Sequence, residues 1–471
     1  METHLDQARI NAGEVSFDEL FEQGRLLFAA RFNKLDGQGR PATTGAAAPR
    51  IPDEPPWTRI ATPGTNSCAG CHYQPEPGGA GDFVANAFVG ANGTDPVTLS
   101  LSPRISMERN SVALHGAGPI EMLAREMSAE MIAIREEARE TALARVEAGE
   151  DPMQVYETRD LITKGVNFGK IRVRGDGKVN PSRIEGVDWD LIIKAFHQKG
   201  AKVSLREFAS RAMNLHHGMQ AVEKFGADKD PDRDGVTNEL TVGDITALAI
   251  FQAGLGTPGR KIPTHPYVFR AVGRGKALFE RIGCGECHLP VLRLNDRHFY
   301  EPNPFNPTRH ALRKEGLGAV LKFDMTRAGL KPRLEADGNG ALVRAFTDLK
   351  RHNVSDGDYN HFANEQRPMG TLFGYASRDT FYAVPANPNR PNAEFLTAKL
   401  WFVGNTDPYG HRGDLTMITE AIYQHGGEAR ESRDGFFALS EFERDAVVEY
   451  LKTLQILPAG SPRVVFEGGS Q

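Results

Sequence analysis

The spacing of hydrophobic and polar side chains predicts a chain built mainly from helices. Residues 440–443 (Ser-Glu-Phe-Glu) fit a helix-capping box, and an apolar face then continues to Leu454. Residues 121–147 carry oppositely charged side chains at helical spacing, such as Glu121 and Arg125. We therefore expect a closing C-terminal helix and one long, exposed helix in the first third of the chain.

Two shorter patterns extend this picture. Residues 170–179 alternate around a Gly-Asp-Gly sequence, which predicts a small β-hairpin. Residues 24–28 (Gly-Arg-Leu-Leu-Phe) and 275–279 (Gly-Lys-Ala-Leu-Phe) read as the same helical turn and form a weak internal repeat. The repeat is short enough to arise by chance, but it predicts two related units, the first of them with a loop-rich insertion over residues 29–67.

Composition and charge narrow the functional class. The chain has 471 residues with 49 glycines and 29 prolines, which is enough for two or three compact units and much loop. Its net charge of −5 gives no reason to expect a nucleic-acid partner. Apolar runs of about eighteen residues or more do not occur, so we expect no membrane span.

All four cysteines fall in two copies of a Cys-x-x-Cys-His motif, at residues 68–72 and 284–288. Two thiols three positions apart can add to the two vinyl groups of one porphyrin, and the adjacent histidine then reaches the iron. Each motif would hold one covalently attached c-type haem. The residues that would attach and ligate the two haems are Cys68, Cys71, His72, Cys284, Cys287 and His288.

A zinc ribbon, a thioredoxin-like redox pair and a disulfide framework also use closely spaced cysteines. Each fits less well. Ribbon pairs usually lie about fifteen to twenty residues apart, whereas more than two hundred residues separate these motifs. A redox pair would not need a histidine directly after both second cysteines, so the haem interpretation is favoured.

The haem motifs also bear on location. Covalent haem attachment in bacteria takes place outside the cytoplasm, so we expect a periplasmic protein. The first residues lack the basic stretch and apolar core of a signal peptide. We therefore expect the given sequence to be a processed or truncated form.

Several stretches resemble the di-haem c-type oxidoreductases related to bacterial di-haem cytochrome c peroxidases and to di-haem rubber oxygenases. Besides the haem motifs, these stretches are residues 109–111, 114–121, 214–220 and 420–429. With the hairpin, the resemblance implies a mainly α fold of two cytochrome c-like haem domains with loop-rich insertions, the haems lying near the domain interface. The expected parts are a first haem domain at 1–165, an intervening helical and loop segment at 166–264 and a second haem domain at 265–471.

The second haem is expected to transfer electrons, which requires both axial positions of the iron to be filled. In the family, a Met after a His-Asp/Ser-Gly turn supplies the distal ligand. The corresponding turn here resembles residues 410–413, and His425 stands at the end of the following helix. We expect His288 and His425 as the axial pair; the alternative is that His425 caps a helix C-terminus beside Gly426 and Gly427.

Catalysis is expected at the first haem, with His72 proximal and the opposite face open. Splitting an O–O bond requires a proton moved from the near oxygen to the leaving one, so a carboxylate or histidine should lie beside this haem. The candidates are Glu121 and His115, with Arg109 stabilising the developing negative charge. The alternative for Glu121 is the first turn of a helix, where the dipole favours a carboxylate.

The loop after the first motif and four further residues also bear on the haem sites. Related peroxidases can carry a blocking histidine after the first motif, but residues 73–106 contain no histidine, so the first haem is expected to be open without reductive activation. His216, His217 and His411 are left between packing and ligation. Trp401 is left between core packing and a place between the two haems.

Residues 228–239 resemble a calcium-binding loop, because alternating carboxylates precede a glycine at a sharp turn. Counted from Asp230, the twelfth position is Thr241 rather than the usual glutamate, so Glu239 or Asp244 must replace it. A solvated acidic turn is the alternative. The expected calcium ligands are Asp230, Asp232, Asp234 and Glu239.

Three functions follow from these expectations. In the favoured one, a periplasmic peroxidase-like enzyme reduces hydrogen peroxide at the first haem with electrons from a small redox protein. In the second, the first haem binds dioxygen and the enzyme cleaves an apolar organic substrate. In the third, the chain is a two-haem electron carrier without substrate chemistry.

Overall fold

A computed structural model describes residues 4–38, 67–81, 85–89, 106–231, 234–307, 321–327, 333–359, 361–362 and 394–457, without the side chains of residues 85–89, 106–109 and 215. In this part of the chain the helices, in chain order, are α1 (Gln7–Asn11), α2 (Phe17–Ala29), α3 (Ala117–Glu147), α4 (Leu205–Ala212), α5 (Val222–Phe225), α6 (Val242–Gly254), α7 (Pro266–Arg281), α8 (Ile418–Tyr423), α9 (Arg430–Phe437) and α10 (Glu441–Lys452).

The strands are short and antiparallel. They are β1 (Ala85–Val89), β2 (Ser106–Arg109), β3 (Tyr156–Thr163), β4 (Val166–Arg174), β5 (Val179–Asn180), β6 (Gly259–Arg260), β7 (Leu292–Leu294), β8 (His298–Glu301), β9 (Leu321–Asp324), β10 (Glu335–Asp337), β11 (Gly340–Val343), β12 (Arg351–Asn353), β13 (Glu394–Leu396) and β14 (Leu454–Gln455). Two three-stranded sheets have the orders β3-β4-β5 and β10-β11-β7, and the other strands pair as β1-β2, β8-β9, β12-β13 and β6-β14.

The first helix crossing joins α2 to α6. Helix α2 begins at a capping box formed by Ser16 and Glu19. Gly24 faces the backbone of α6 so closely that a Cβ there would overlap the carbonyl oxygen of Ala247. One turn further on, the rings of Phe28 and Phe251 lie 5.1 Å apart. Residues 166–264 are therefore not only a connecting segment, since α6 completes the core around α2.

The second helix crossing, between α7 and α10, has the same design. A Cβ at Gly275 would overlap the carbonyl oxygen of Ala446. The rings of Phe279 and Tyr450 lie 5.7 Å apart. The glycine-to-phenylalanine repeat seen in the sequence thus marks two equivalent crossings, each using the missing side chain of glycine for close backbone approach.

Helix α3 differs from the exposed helix that the charge pattern predicts. It starts at Ala117, and its first half is buried among core residues such as Leu123 and Met127. Only its second half lies at the surface, where Ala138 and Ala142 pack against the β3-β4 hairpin. The charged pairs suggested exposure, but the apolar residues of the first half occur on several faces and bury it.

The predicted hairpin is present, and a larger one precedes it. Strand β4 pairs with β5 through Arg172 and Asn180, across the Gly-Asp-Gly turn. Strand β3 pairs with β4 along most of its length, and the sequence analysis missed this pairing because β3 is polar and half exposed. None of the helices in the described residues combines the length and apolar character needed to cross a membrane.

Candidate functional site

The first Cys-x-x-Cys-His motif forms a tight turn against the end of α2. Residues Cys68–Gly70 make a 3-10 turn, and the amide of His72 donates to the carbonyl of Cys68 at 3.0 Å. The Ser67 hydroxyl donates to the carbonyls of Phe28 and Ala29, at 3.3 and 3.1 Å. The turn is thereby fixed to the α2 end, and both of its thiols are free.

The second motif repeats this geometry after α7. Residues Cys284–Glu286 make a 3-10 turn, and the amide of His288 donates to the carbonyl of Cys284 at 3.0 Å. Burial raises the pKa of the Cys68 and Cys284 thiols to about 12. Both motifs therefore present a pair of free thiols beside one histidine.

The imidazole of His288 is held by the backbone. Its Nδ1 lies 3.1 Å from the carbonyl oxygens of both Phe346 and Ala398. Burial, and after it the nearby charge of His425, lowers the pKa of His288 to about 4. With Nδ1 engaged, Nε2 of the neutral ring is the nitrogen available to a metal.

His425 is likewise held by a backbone carbonyl. It follows α8, and its Nδ1 lies 2.7 Å from the carbonyl oxygen of Ala421. Burial lowers the pKa of His425, and the ring of Phe362 packs edge-on at 5.6 Å. This bond to the last turn is the capping contact of the alternative interpretation, yet it also leaves Nε2 for a metal.

The Gly-Gly-Glu sequence after His425 fits a crowded position. A Cβ at Gly427 would overlap the carbonyl of Asn353, and its amide donates to the Asp356 carboxylate at 2.7 Å. Glu428 accepts from the amide of Asn353 at 2.8 Å. These contacts fix the end of α8, and with it His425, to residues 353–356.

Sequence reasoning missed a partly buried polar cluster that includes the second cysteine of the second motif. The ligand-type atoms of Cys287, Asp348 and His352 all lie within 4.8 Å of one another. Burial lowers the pKa of His352, but bonds to Asp348, Cys287 and Glu428 outweigh it and raise that pKa to about 11. The only signal for this cluster was Glu428 in the His-Gly-Gly-Glu stretch.

The Nδ1 atom of His72 at the first motif is also buried, but among the described residues it has no hydrogen-bond partner. Its ring centroid is 6.3 Å from that of Phe28. Burial lowers the pKa of His72, while the backbone groups of Gly79 and Val112 beside it favour the protonated ring. The loop after the motif therefore covers this histidine.

His115 has structural partners in the same loop. Its Nδ1 lies 3.1 Å from the carbonyl oxygen of Gly78, and its Nε2 lies 3.1 Å from a carboxylate oxygen of Glu76. The predicted catalytic His115 thus orders the loop that covers His72. Arg109 ends β2, and its side chain lies outside the described residues.

Glu121 is 1% exposed and sits in the core. Its carboxylate accepts from the backbone amide of Leu205 at 2.7 Å and from the amide side chain of Asn303 at 2.9 Å. Burial, and after it the charge of Glu301, raises the pKa of Glu121 to about 8. These contacts tie α3 to the start of α4, and catalysis by Glu121 stays a prediction.

The histidine pair His216 and His217 lies in a π-helical turn, Met213–His217, that directly follows α4. Gly218 ends the turn with φ +74°. His217 is buried, and its Nε2 lies 3.3 Å from Sγ of Cys68. The structure therefore brings a histidine to the first motif from a segment that the sequence left unassigned.

The stretches at residues 109–111 and 114–121 contact the segment between Trp401 and His411. Asn110 donates from its backbone to the carbonyl of His411 at 3.3 Å and from its side chain to the carbonyl of Pro408. Gly116 packs on the ring of buried Trp401. Nε1 of Trp401 has no hydrogen-bond partner in the described part of the chain, which leaves a buried donor for a group that binds there.

The proposed calcium loop is described only in part. Asp230 accepts from the amides of Asp234 and Gly235, at 3.2 and 3.0 Å. Glu239 is buried and accepts from the amide of Gln220 at 2.7 Å. Asp232 lies outside the described residues. Calcium binding at this loop stays a prediction.

The donor set at each motif fits a covalently attached haem. Each has two free thiols on one turn for the thioether bonds and a histidine directly after them. At the second motif, His288 and His425 both have Nδ1 engaged by backbone carbonyls. This arrangement suits bis-histidine ligation of an iron.

Comparison with known proteins gives only distant likenesses. No protein-family model matches the chain, and no curated protein matches it. Among solved structures, the chain is similar to Kuenenia stuttgartiensis hydrazine synthase, with a TM-score of 0.38 and 16% identity, over 96% of this chain and 94% of that one. It is also similar to a MauG-like protein associated with microbial copper homeostasis, with a TM-score of 0.26 and 18% identity, over 60% and 76% of the two chains. At these TM-scores neither likeness assigns a fold or an activity.

Proposed function

We propose that the chain is a periplasmic di-haem c-type oxidoreductase of the peroxidase type. One hydrogen peroxide, two protons and two electrons give two molecules of water. The second haem receives the electrons one at a time from a small reduced redox protein, and the first haem is where peroxide reacts. Calcium in the loop at residues 228–239 belongs to the same proposal.

The observation that carries this proposal is the similar way in which His288 and His425 are held. The Nδ1 atoms of both rings meet backbone carbonyls, at 3.1 and 2.7 Å, and the charge of His425 contributes, after burial, to the lowered pKa of His288. Two fixed imidazoles suit an iron that exchanges electrons without binding substrate. The first motif is arranged differently, because its neighbouring His217 directs Nε2 to the Cys68 sulfur.

The test is electron paramagnetic resonance of the fully ferric, haem-loaded protein. We expect one low-spin bis-histidine signal and one high-spin signal, and one equivalent of peroxide should remove the high-spin signal. His425→Ala should convert the low-spin signal to high spin. The matched control is His361→Ala, which removes a histidine bonded to Asp414 at 3.1 Å and should leave both signals unchanged.

Other outcomes would contradict the proposal. Two low-spin signals that peroxide does not alter would favour the electron carrier. Oxygen consumption with an apolar organic substrate, without turnover of peroxide and reduced cytochrome, would favour the oxygenase.

A further inference from the structure

We propose that His352 is a positioning residue of the second haem site, because its ring links the segment that holds His288 to the segment that carries His425. This inference rests on the proposed function, in which those two histidines ligate the iron of the second haem. It goes beyond that function by identifying the contact that keeps the two ligands in one fixed arrangement.

The ring of His352 lies between two carboxylates. Its Nε2 lies 2.8 Å from a carboxylate oxygen of Asp348, and its Nδ1 lies 2.7 Å from one of Glu428. Ionised carboxylates only accept hydrogen bonds, so both ring nitrogens donate. The side chains of His352 and Asp348 are 12% and 4% exposed, and the ring is therefore held in place inside the protein.

The first of these carboxylates belongs to the segment that holds His288. The carbonyl oxygen of Phe346 lies 3.1 Å from Nδ1 of His288. The next residue, Thr347, donates from its amide to the carbonyl of Leu289 at 3.1 Å. Asp348 follows directly, so a bond to Asp348 acts on the backbone that orients the His288 ring.

That backbone is strained on both sides of Asp348. Phe346 and Leu349 have φ values of +55° and +57°, a region that residues with side chains rarely adopt. Such a conformation persists only where surrounding contacts hold it. One oxygen of Asp348 accepts from the amide of Lys350 at 2.9 Å and the other meets His352, so the His352 bond is one of those contacts.

The second carboxylate belongs to the segment that carries His425. Glu428 stands three positions after His425. One of its oxygens meets the His352 ring, and the other accepts from the amide of Asn353 at 2.8 Å. The end of α8 is thereby tied to β12, the strand that contains His352.

The ring also lies beside the place where the haem would be attached. The ligand-type atoms of Cys287, Asp348 and His352 lie within 4.8 Å of one another. The sulfur of Cys287 would join the edge of the porphyrin, which places His352 beside that edge and off the iron axis. Three such groups can bind a metal ion, but here both ring nitrogens of His352 are bonded and the thiol is assigned to the haem. His352 therefore acts through the two axial histidines.

Partners of this kind fix the orientation of metal ligands, and their loss typically weakens metal binding by about tenfold to a hundredfold. Without the His352 ring, the carboxylates of Asp348 and Glu428 would face each other with no donor between them. The two segments would then separate, and His425 would leave the iron more often. An external ligand can bind the second haem only while His425 is away.

The experiment measures how fast cyanide binds each haem of the ferric, haem-loaded protein, followed by electron paramagnetic resonance. His352→Gln removes the link, since glutamine cannot donate to carboxylates on opposite sides. We expect cyanide to replace the bis-histidine signal about tenfold faster or more, and to bind the first haem at the unaltered rate. Glu428→Gln keeps an acceptor for the Asn353 amide and should act in the same direction. The double variant should show no more than the larger single effect, because both changes break one link.

The matched control is His298→Gln, which removes another histidine bonded to a carboxylate, that of Asp296 at 2.6 Å. It should leave both cyanide rates unchanged. An unaltered rate at the second haem in His352→Gln would overturn the inference, and so would equal acceleration at both haems. Effects that multiply in the double variant would also overturn it, since His352 and Glu428 would then act separately.

The outcome stays decisive if His352→Gln fails to retain both haems. Glu428, whose side chain is 53% exposed, then tests the same link by itself, and a normal cyanide rate in Glu428→Gln would overturn the inference. Failure of the proposed function is seen separately, in the unaltered protein. If that protein lacks a bis-histidine signal, the proposed function falls and this inference falls with it.

Discussion

Residues 1–264, with the first motif, and residues 265–471, with the second, form two halves that share a scaffold. They differ in the histidine that lies near each motif. In both, a glycine lets one helix meet the backbone of a closing helix, with Gly24 against Ala247 and Gly275 against Ala446. This histidine is held by a helix carbonyl in the second half and turns to a cysteine sulfur in the first. The comparison teaches that a repeated framework can support two different sites when the segment before the closing helix changes.

The halves are also joined by a buried ionic network. Arg206 donates to Glu223 at 2.6 Å and to Glu301, from the second half, at 2.8 Å, and all three side chains are fully buried. Its other guanidinium contacts, to Thr246 and the carbonyl of Val242, lie at 2.9 and 3.1 Å. One cation thus offsets two carboxylates that solvent does not reach.

The largest effect is expected from Arg206→Met. The substitution keeps the volume but leaves two buried carboxylates without their cation, which should lower the free energy of unfolding by about 4 kcal/mol. Urea denaturation followed by circular dichroism measures this. Arg274→Met is the control, because Arg274 pairs with Glu443 at the surface and its loss should change the midpoint little. A small change in Arg206→Met would show that the network does not hold the halves together.

The shared scaffold predicts equal sensitivity at the two crossing glycines. Gly24→Ala and Gly275→Ala each place a Cβ against a backbone oxygen that cannot easily move, which should cost about 3 kcal/mol. Thermal unfolding of both variants is the measurement. Gly273→Ala in α7 is the control, since a Cβ there meets nothing within 4 Å and alanine favours the helix. If only one crossing glycine proved sensitive, the equivalence of the halves would be lost.

The sequence predicted features that depend on neighbouring residues better than features that depend on residues far apart in the chain. The two motifs, the repeat and the Ser440 capping box depend on neighbouring residues, and the structure has each of them. The surroundings of His115 and Glu121 depend on partners far along the chain, such as Leu205 for Glu121. Because tertiary packing selects those backbone partners, spacing along the sequence carries little information about them.

A further difference between the halves concerns pH. Glu121, in the first half, should make the free energy of unfolding depend on pH. Its pKa is about 8 in the folded protein and 4.5 ordinarily, so the folded state holds a proton that the unfolded state releases. The stability from this proton is fully present below about pH 4.5 and is lost as pH rises through about 8, by about 1.4 kcal/mol for each pH unit between the two pKa values. Glu121→Gln should flatten this decline, as measured by urea midpoints from pH 5 to 8.

The control for that profile is Glu147→Gln, at the exposed end of the same helix, which should leave the decline unchanged. A Glu121→Gln profile that parallels the unaltered protein would mean that Glu121 is ionised in the folded state. In that case its two hydrogen bonds outweigh its burial.

The smallest effects concern how the two closing helices begin. Both start at a capping box, but Thr241 also donates from its hydroxyl to the carbonyl of Leu5 at 2.8 Å, whereas Ser440 is exposed. Ser440→Ala should cost about 1 kcal/mol, and Thr241→Ala should cost about 2 kcal/mol because it also frees the segment before α1. Thermal unfolding against Ser182→Ala, an exposed turn residue, measures the difference. Equal costs would show that the contact with Leu5 adds nothing, and the two helix starts would then be equivalent in energy as well as in sequence pattern.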